Sequence, residues 1–309
     1  MSGTNGPDLR TSVGSVELAN PVMTASGTAG YGTELGGFVD LARLGAVVVK
    51  SLGADPWPGN RPPRVHATTA GMLNSVGLQG PGVEAWRRDQ LPLLDATGAT
   101  VVASIWGGSV QDYARAAAAL AGCPESVVAV EVNLSCPNLD GGQHLFAHDP
   151  LASAEVIREV RSAGLPCWAK LSPNTDRLVE VADAVAGAGA AAVTLVNTLL
   201  GMVIDVERRR PVLGAGGGGL SGPAIHPVAV RAVHTVHRAL PELPIVGVGG
   251  VATAVDAVEL LLAGASAVQV GTATFADPRA VGRVLDGLGS WCRDHGVGSV
   301  RELIGGVRD

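Results

Sequence analysis

One cysteine of this 309-residue chain stands where it could do proton chemistry. Cys136 follows an apolar, β-branched run and lies between Asn133 and Asn138, whose amides offer paired hydrogen-bond donors and acceptors. A free thiol has an ordinary pKa of about 8.5, so a suitable site lets it exchange protons near neutral pH. His144 and His148 are near in sequence but lie in a predicted loop, so no cysteine–histidine pair is evident. This pattern favours a role for Cys136 as a general base rather than as a nucleophile.

The other three cysteines, Cys123, Cys167 and Cys292, are widely spaced, and the chain has no C-x-x-C pair. This spacing argues against a zinc or iron–sulfur site held by this chain alone, and we predict no metal ligands. A cysteine taken at random is more often a small buried apolar residue than a catalyst. We expect these three to be buried or simply on the surface.

Polar residues follow nearly every predicted strand. A single terminal lysine or asparagine is usually a turn or cap residue, but repetition at successive strand ends is hard to explain by capping alone. In (β/α)8 barrels, catalytic residues lie at the carboxyl ends of the strands and in the loops that follow. We therefore predict a site at that face, built from the strand-end residues Lys50, Ser51, Ser104, Asn133, Lys170, Val196, Asn197 and Thr198.

Glycines end the last two predicted strands, at Gly249–Gly250 and at Gly271, which Thr272 follows. Barrels of this type often bind phosphate after strands seven and eight, where backbone N–H groups hold the anion. Thr272 would add a hydroxyl group. A tight turn is the plainer interpretation of Gly249–Gly250 alone, but the two positions together favour phosphate.

Short β-branched runs alternate with helical stretches, which is typical of a parallel sheet buried on both faces. The predicted strands are 20–26, 46–51, 100–106, 127–135, 167–172, 191–198, 244–249 and 267–272. The predicted helices are 110–121, 150–163, 175–188, 224–239, 253–263 and 278–288. This order favours an α/β fold, a (β/α)8 TIM barrel that spans residues 1–309 as one domain, with insertions at its C-terminal face. An open doubly wound sheet is the rival architecture.

Two connections are long, at residues 55–81 and 199–223, and the second contains a GAGGGG run. Loops of this length are usually functional or disordered. We expect the second to reach over the site or to pack at a subunit contact.

The composition excludes several classes of protein. Hydrophobic residues make up 47% of the chain, which rules out a disordered polypeptide. The net charge of −6, without a basic stripe, argues against a nucleic-acid partner. Residues 1–20 are polar and contain no apolar run of signal-peptide length, and no stretch of the chain approaches the length of a membrane span, so a cytoplasmic enzyme without a membrane partner is expected.

The stretch EVNLSCPN at 131–138 resembles the signature of the class 1 dihydroorotate dehydrogenases. Similar matches run in order along nearly the whole chain, at 20–27, 71–79, 170–173, 197–198, 220–224, 249–250 and 271–272. The GMLN sequence at 71–74 and NTLLGM at 197–202 look most like the two-subunit type B enzymes. The chain thus resembles their FMN-bearing catalytic subunit.

This resemblance implies FMN as cofactor and oxidation of dihydroorotate to orotate in pyrimidine biosynthesis. Cys136 would take the C5 proton while the C6 hydride goes to FMN. The implied substrate contacts are Lys50, Asn74, Ser75, Val76, Gly77, Leu78, Asn133, Asn138, Asn197 and Thr198. The implied FMN contacts are Ser26, Lys50, Ser51, Ser104, Asn133, Lys170, Val196, Gly222, Gly249, Gly250, Gly271 and Thr272. The family usually has asparagine where this chain has Ser104.

The type B resemblance also implies partners. Electrons would pass to a separate subunit that carries FAD and an iron–sulfur cluster, and then to NAD, and the chain itself would form a homodimer. The alternatives are a dihydropyrimidine dehydrogenase-type reductase, a type A fumarate-linked enzyme, a non-catalytic FMN-binding barrel, and a flavin-free phosphate-binding barrel lyase or isomerase. Asn138 favours the orotate-type site over the reductase.

Overall fold

Eight parallel strands form the central sheet of the computed structural model, which describes residues 6–135 and 145–308. We number these barrel strands in chain order. They are β1 (Val22–Thr24), β2 (Val47–Val48), β3 (Val101–Ile105), β4 (Val127–Asn133), β5 (Cys167–Lys170), β6 (Ala192–Leu195), β7 (Ile245–Val248) and β8 (Ala267–Val270). Each lies within a predicted strand and is shorter than predicted, β1, β2 and β6 by four residues.

The sheet closes on itself. The strands pair in chain order from β2 to β8, and β8 pairs with β1, with Val268 opposite Val22. A parallel bridge between Met23 and Ala46 joins β1 to the start of β2, where the N–H of Thr24 donates to the carbonyl of Ala46 at 3.2 Å. Closure confirms the (β/α)8 barrel over the open doubly wound sheet.

Helices follow the strands around the outside of the barrel. They are α1 (Val83–Asp89), α2 (Leu91–Asp95), α3 (Val110–Ala118), α4 (Pro150–Val160), α5 (Leu178–Gly187), α6 (His226–Ala239), α7 (Ala254–Ala263), α8 (Ala273–Ala276) and α9 (Ala280–Asp294). Short 3-10 helices lie at Leu41–Arg43, Phe146–His148, Arg161–Ala163, Pro223–Ile225 and Val300–Leu303. The sequence did not predict α1, α2 or α8, which are short.

Capping explains why two predicted helices begin where they do. The Thr253 hydroxyl accepts the N–H of Asp256 at the start of α7, and the Asp256 carboxylate accepts the N–H of Thr253. Ser109 and Asp112 form the same reciprocal pair at the start of α3. Such capping boxes satisfy N–H groups that a helix leaves without partners in its first turn.

The barrel interior is apolar at its amino end and polar toward its carboxyl end. A hairpin of Thr11–Val13 and Val16–Leu18 closes the amino end, and its valines pack in one buried cluster with Trp168 of β5. Two residues further along the strands, a buried polar layer follows, made of Ser104, Glu131, Lys170, Thr194 and Gln269. The polar layer lies directly beneath the face where the sequence predicted the site.

The two long connections form a second sheet. Its four antiparallel strands are Leu199–Gly201, Gly218–Ser221, Gly71–Asn74 and Val65–Thr68, in that spatial order. A separate short pair, Ile204–Asp205 with Arg210–Pro211, extends the second connection. The sequence did not predict these strands, because the pairing joins segments that lie far apart in the chain and are rich in glycine.

Candidate active site

A cavity of about 790 Å³ opens at the carboxyl ends of the barrel strands, and the four-stranded sheet covers part of it. The second long connection therefore reaches over the site, which was one of the two expectations for it. Eighteen of the sequence-predicted site residues line this one cavity: Ser26, Lys50, Ser51, Asn74, Ser75, Val76, Gly77, Leu78, Asn133, Lys170, Val196, Asn197, Thr198, Gly222, Gly249, Gly250, Gly271 and Thr272.

Cys136 and Asn138 lie outside the described residues, so their roles stay predictions. Asn133 and Ser135, which directly precede them, line the cavity. The three other cysteines give a contrast, because none of them lines this cavity in the described part of the chain. Burial raises the pKa of Cys123 and of Cys292, and it raises the pKa of Cys167 to about 11. These thiols stay protonated at neutral pH.

Ser104 is the described candidate that does not line the cavity. Its side chain is fully buried in the polar layer, and its Oγ lies 2.9 Å from the Oγ of Ser51. Ser51 lines the cavity above it. Ser104 is thus connected to the cavity lining by its contact with Ser51, and its predicted contact with a cofactor stays a prediction.

Asn133, at the end of β4, links the amides of the site. Its Oδ1 accepts from Asn197 Nδ2 at 3.0 Å and its Nδ2 donates to Ser51 Oγ at 3.4 Å. The buried Tyr113 of α3 donates its hydroxyl to the Asn133 carbonyl at 2.6 Å and so fixes the backbone at the strand end. The amides of β4 and β6 are thus oriented by protein contacts before a ligand binds. The sequence did not predict the part played by Tyr113.

Ser172 and Asn174 also line the cavity, and the sequence did not predict them. Asn174 donates to the hydroxyl of Ser172 and to the carbonyl of Thr198, both at 2.9 Å, and accepts the N–H of Leu200 at 2.9 Å. Asn174 therefore ties the loop after β5 to the start of the second long connection. The polar residues that continue past Lys170 in the sequence could have been used to predict these two positions.

The opposite side of the cavity is formed by backbone. The N–H groups of Gly250, Gly271 and Thr272 donate to no acceptor within the described part of the chain. Gly250 has a φ of +73°, which L side chains rarely adopt. Unpartnered backbone N–H groups at a cavity wall form a binding place for an anion. The predicted phosphate contacts of β7 and β8 therefore lie together on one wall.

His226, at the start of α6, supports this wall from behind and was also not predicted. One ring nitrogen, Nδ1, lies 2.8 Å from the carbonyl of Gly249, and Nε2 lies 3.1 Å from Glu259 Oε2. Asp256 is the second acidic neighbour, with its Oδ1 3.9 Å from Nε2. These contacts hold the Gly249 carbonyl on the side away from the cavity.

A search of the described residues finds no helix that is both long and apolar enough to cross a membrane.

A closed (β/α)8 barrel, with a polar cavity at the carboxyl ends of the strands and a glycine-lined wall after β7 and β8, has the arrangement of the barrel enzymes, whose active sites lie at this face. The chain belongs to the dihydroorotate dehydrogenase family, whose sequence profile matches residues 8–291. This match confirms the family that the motifs predicted.

Individual relatives are similar to this chain over nearly their full length. The chain is 46% identical to the dihydroorotate dehydrogenase B (NAD(+)) catalytic subunit of Geotalea uraniireducens, over 97% of this chain and 98% of the relative. It is 51% identical to the protein of the same name from Desulforudis audaxviator, over 95% of each chain. The Geobacter sulfurreducens protein of this name is 46% identical over 97% of this chain and 98% of the relative. The name of these three relatives matches the type B resemblance seen in the motifs.

Proposed function

We propose that this chain binds FMN in the 790 Å³ cavity and oxidises dihydroorotate to orotate as the catalytic subunit of a two-subunit enzyme. The observation that carries the proposal is that two sides of the cavity offer different hydrogen-bonding groups. Backbone N–H groups after β7 and β8 form one side, amides after β4 and β6 form the other, and Lys170 lies at the floor. This arrangement suits a phosphate-bearing cofactor next to a planar, hydrogen-bonding substrate.

The residues present fit FMN. The free N–H groups of Gly250, Gly271 and Thr272 would hold its phosphate, together with the Thr272 hydroxyl, which lies 2.8 Å from the Oγ of Ser221. The Lys170 ammonium would supply positive charge to the ring system. When bound, FMN supplies a hydride acceptor, and the chain positions its ring system against the substrate.

The amide side would hold the substrate. Asn133 and Asn197 are oriented by the hydrogen bond between them, Asn74 donates to the Gly219 carbonyl at 3.3 Å, and all three residues line the cavity. Two buried cavity-lining hydroxyls, of Ser75 and Ser135, have no hydrogen-bond partner within the described residues. Buried polar groups without partners are costly, so a polar ligand is expected to satisfy them. Cys136 would take the C5 proton.

The name of the relatives supports a partner subunit, since each is called a catalytic subunit. We propose that the partner of this chain carries FAD and an iron–sulfur cluster and passes the electrons to NAD. A cytoplasmic location is part of the same proposal.

The substrate is tested by flavin reduction in the purified, FMN-loaded protein without oxygen. Dihydroorotate is expected to bleach the visible absorbance of the flavin, whereas dihydrouracil leaves it unchanged. Bleaching by dihydrouracil would instead support the dihydropyrimidine dehydrogenase-type reductase. A protein that binds no FMN would exclude both and support the flavin-free barrel. Direct reoxidation of the flavin by fumarate would support the type A alternative.

We propose that the chain forms a homodimer through the second long connection, residues 199–223. Met202, Ile204 and Val206 alternate there and are each more than half exposed, with Val206 at 76%. We expect Val206→Asp to lower the molar mass measured by light scattering from dimer to monomer, because a charge would lie unpaired in the contact. Val255→Asp is the matched control, since Val255 is 56% exposed on α7, outside this segment. An unchanged mass for Val206→Asp would contradict this placement.

A further inference from the structure

Glu131 is a carboxylate enclosed in the barrel interior. It lies on β4, two residues before Asn133, and its side chain has no solvent exposure. A carboxylate that is fully removed from water is strongly destabilising unless charged and hydrogen-bonding partners compensate it. The proposed reaction gives Glu131 no role, so its partners indicate what it does.

Two side chains from different strands meet at this carboxylate. Gln269 of β8 donates from Nε2 to Glu131 Oε2 at 2.7 Å, and Lys170 Nζ of β5 lies 3.4 Å from Glu131 Oε1. Because the Gln269 amide nitrogen faces Glu131, its Oε1 faces the lysine, at 3.5 Å from Nζ. The ammonium thus has a carboxylate on one side and an amide oxygen on the other, at nearly equal distances.

The Lys170 ammonium has a third hydrogen-bond partner on the cavity side. Lys170 Nζ donates to Ser26 Oγ at 3.0 Å, and both residues line the cavity wall. Lys170 is 4% exposed, so its charge is not screened by bulk water. A charge at this position acts on any group in the cavity, and the carboxylate beneath it counteracts part of that effect.

We propose that Glu131 and Gln269 are positioning residues that fix the Lys170 ammonium at the cavity floor, and that the Glu131 charge sets how strongly the site favours reduced over oxidised flavin. The inference rests on the proposed function, because it requires FMN in this cavity. A negative charge close to Lys170 weakens the stabilisation of the reduced, anionic flavin. Its removal therefore favours the reduced form.

The first test is Glu131→Gln, which removes the charge and keeps the size. At a fixed potential set by a redox dye, we expect the ratio of reduced to oxidised bound flavin to rise by about tenfold or more. Gln269→Glu puts a second carboxyl group in place of the amide nitrogen that lies 2.7 Å from Glu131 Oε2. Two carboxyl groups this close share one proton, so the net charge beside Lys170 is kept and the ratio is expected to stay within about threefold of the wild-type value. FMN dissociation constants for both oxidation states give a second readout that does not depend on turnover.

The matched control is the double variant Glu131→Gln with Gln269→Glu. It moves the carboxylate from one side of Lys170 to the other, where the distance to Nζ is 3.5 Å instead of 3.4 Å, and it keeps the hydrogen bond between the two side chains. We expect the ratio to return to within about threefold of the wild-type value, as two nearly equal Coulomb energies require. A residue that only fills space would not give a shift in Glu131→Gln that a carboxylate at position 269 cancels.

The outcomes separate this inference from the proposed function. A wild-type protein that binds no FMN contradicts the proposed function and the inference with it. A wild-type protein that binds FMN, combined with an unshifted ratio in Glu131→Gln, contradicts the inference alone. If Glu131→Gln does not fold, Glu131→Asp decides, because it keeps the negative charge but withdraws it from Lys170: a raised ratio supports the inference, and an unchanged or lowered ratio overturns it.

Discussion

Cys136→Ala is expected to retain FMN while losing reduction of the flavin by dihydroorotate. The methyl group has no proton-accepting atom, and removal of a general base typically costs about 10² to 10⁴-fold in rate. Stopped-flow measurement of flavin bleaching after mixing with dihydroorotate gives the rate directly. If the proposed base is the Cys136 thiolate, the wild-type rate should also rise with pH until the thiol is fully deprotonated.

Cys123→Ala is the control for Cys136→Ala. Cys123 is partly buried after α3 and does not line the cavity, and burial raises its pKa. Its replacement should leave the bleaching rate unchanged, since neither the site nor a reactive thiolate is altered. Full-speed bleaching in Cys136→Ala, with FMN bound, would remove the base assignment. Loss of bound FMN in that variant would instead indicate that Cys136 contributes to the shape of the site.

Gly250→Ala is expected to weaken FMN binding by about a hundredfold, or roughly 2.7 kcal/mol. The backbone at Gly250 has a φ of +73°, which costs a non-glycine residue about 1 kcal/mol or more. A Cβ there would also come within 2.7 Å of the His226 Cβ and 2.9 Å of the Gly222 carbonyl oxygen. The turn must move, and its free N–H group would no longer point at the phosphate. Quenching of FMN fluorescence during titration of the apoprotein measures the affinity.

Gly37→Ala is the control for Gly250→Ala. A Cβ at Gly37 would meet nothing within 4 Å, and the position lies away from the cavity. Its FMN affinity should equal that of the wild type. The thermal unfolding midpoint of both apoproteins separates a local effect on the turn from a general loss of stability. Wild-type affinity in Gly250→Ala would place the phosphate elsewhere in the cavity.

Much of the site was predictable because it follows a rule of the fold. Parallel strands in a barrel bring their carboxyl ends to one face, so residues that end successive strands must converge. Lys170 at the end of β5 and Asn197 after β6 could therefore be placed in one cavity before any distance was known. Ser104 shows the limit of the rule, since one residue along a strand decides between the cavity wall and the buried layer beneath it.

The sequence by itself determined the barrel, its strand order and the family, because each depends on local patterns and on short motifs. Only the tertiary structure joined Glu131 to Gln269, which are 138 residues apart, and set both against Lys170. It also paired Gly71–Asn74 with Gly218–Ser221 over the cavity and placed His226 behind Gly249. The physical reason is the same in each case. Barrel closure and strand register fix which distant side chains meet, and no local pattern in the chain encodes those distances.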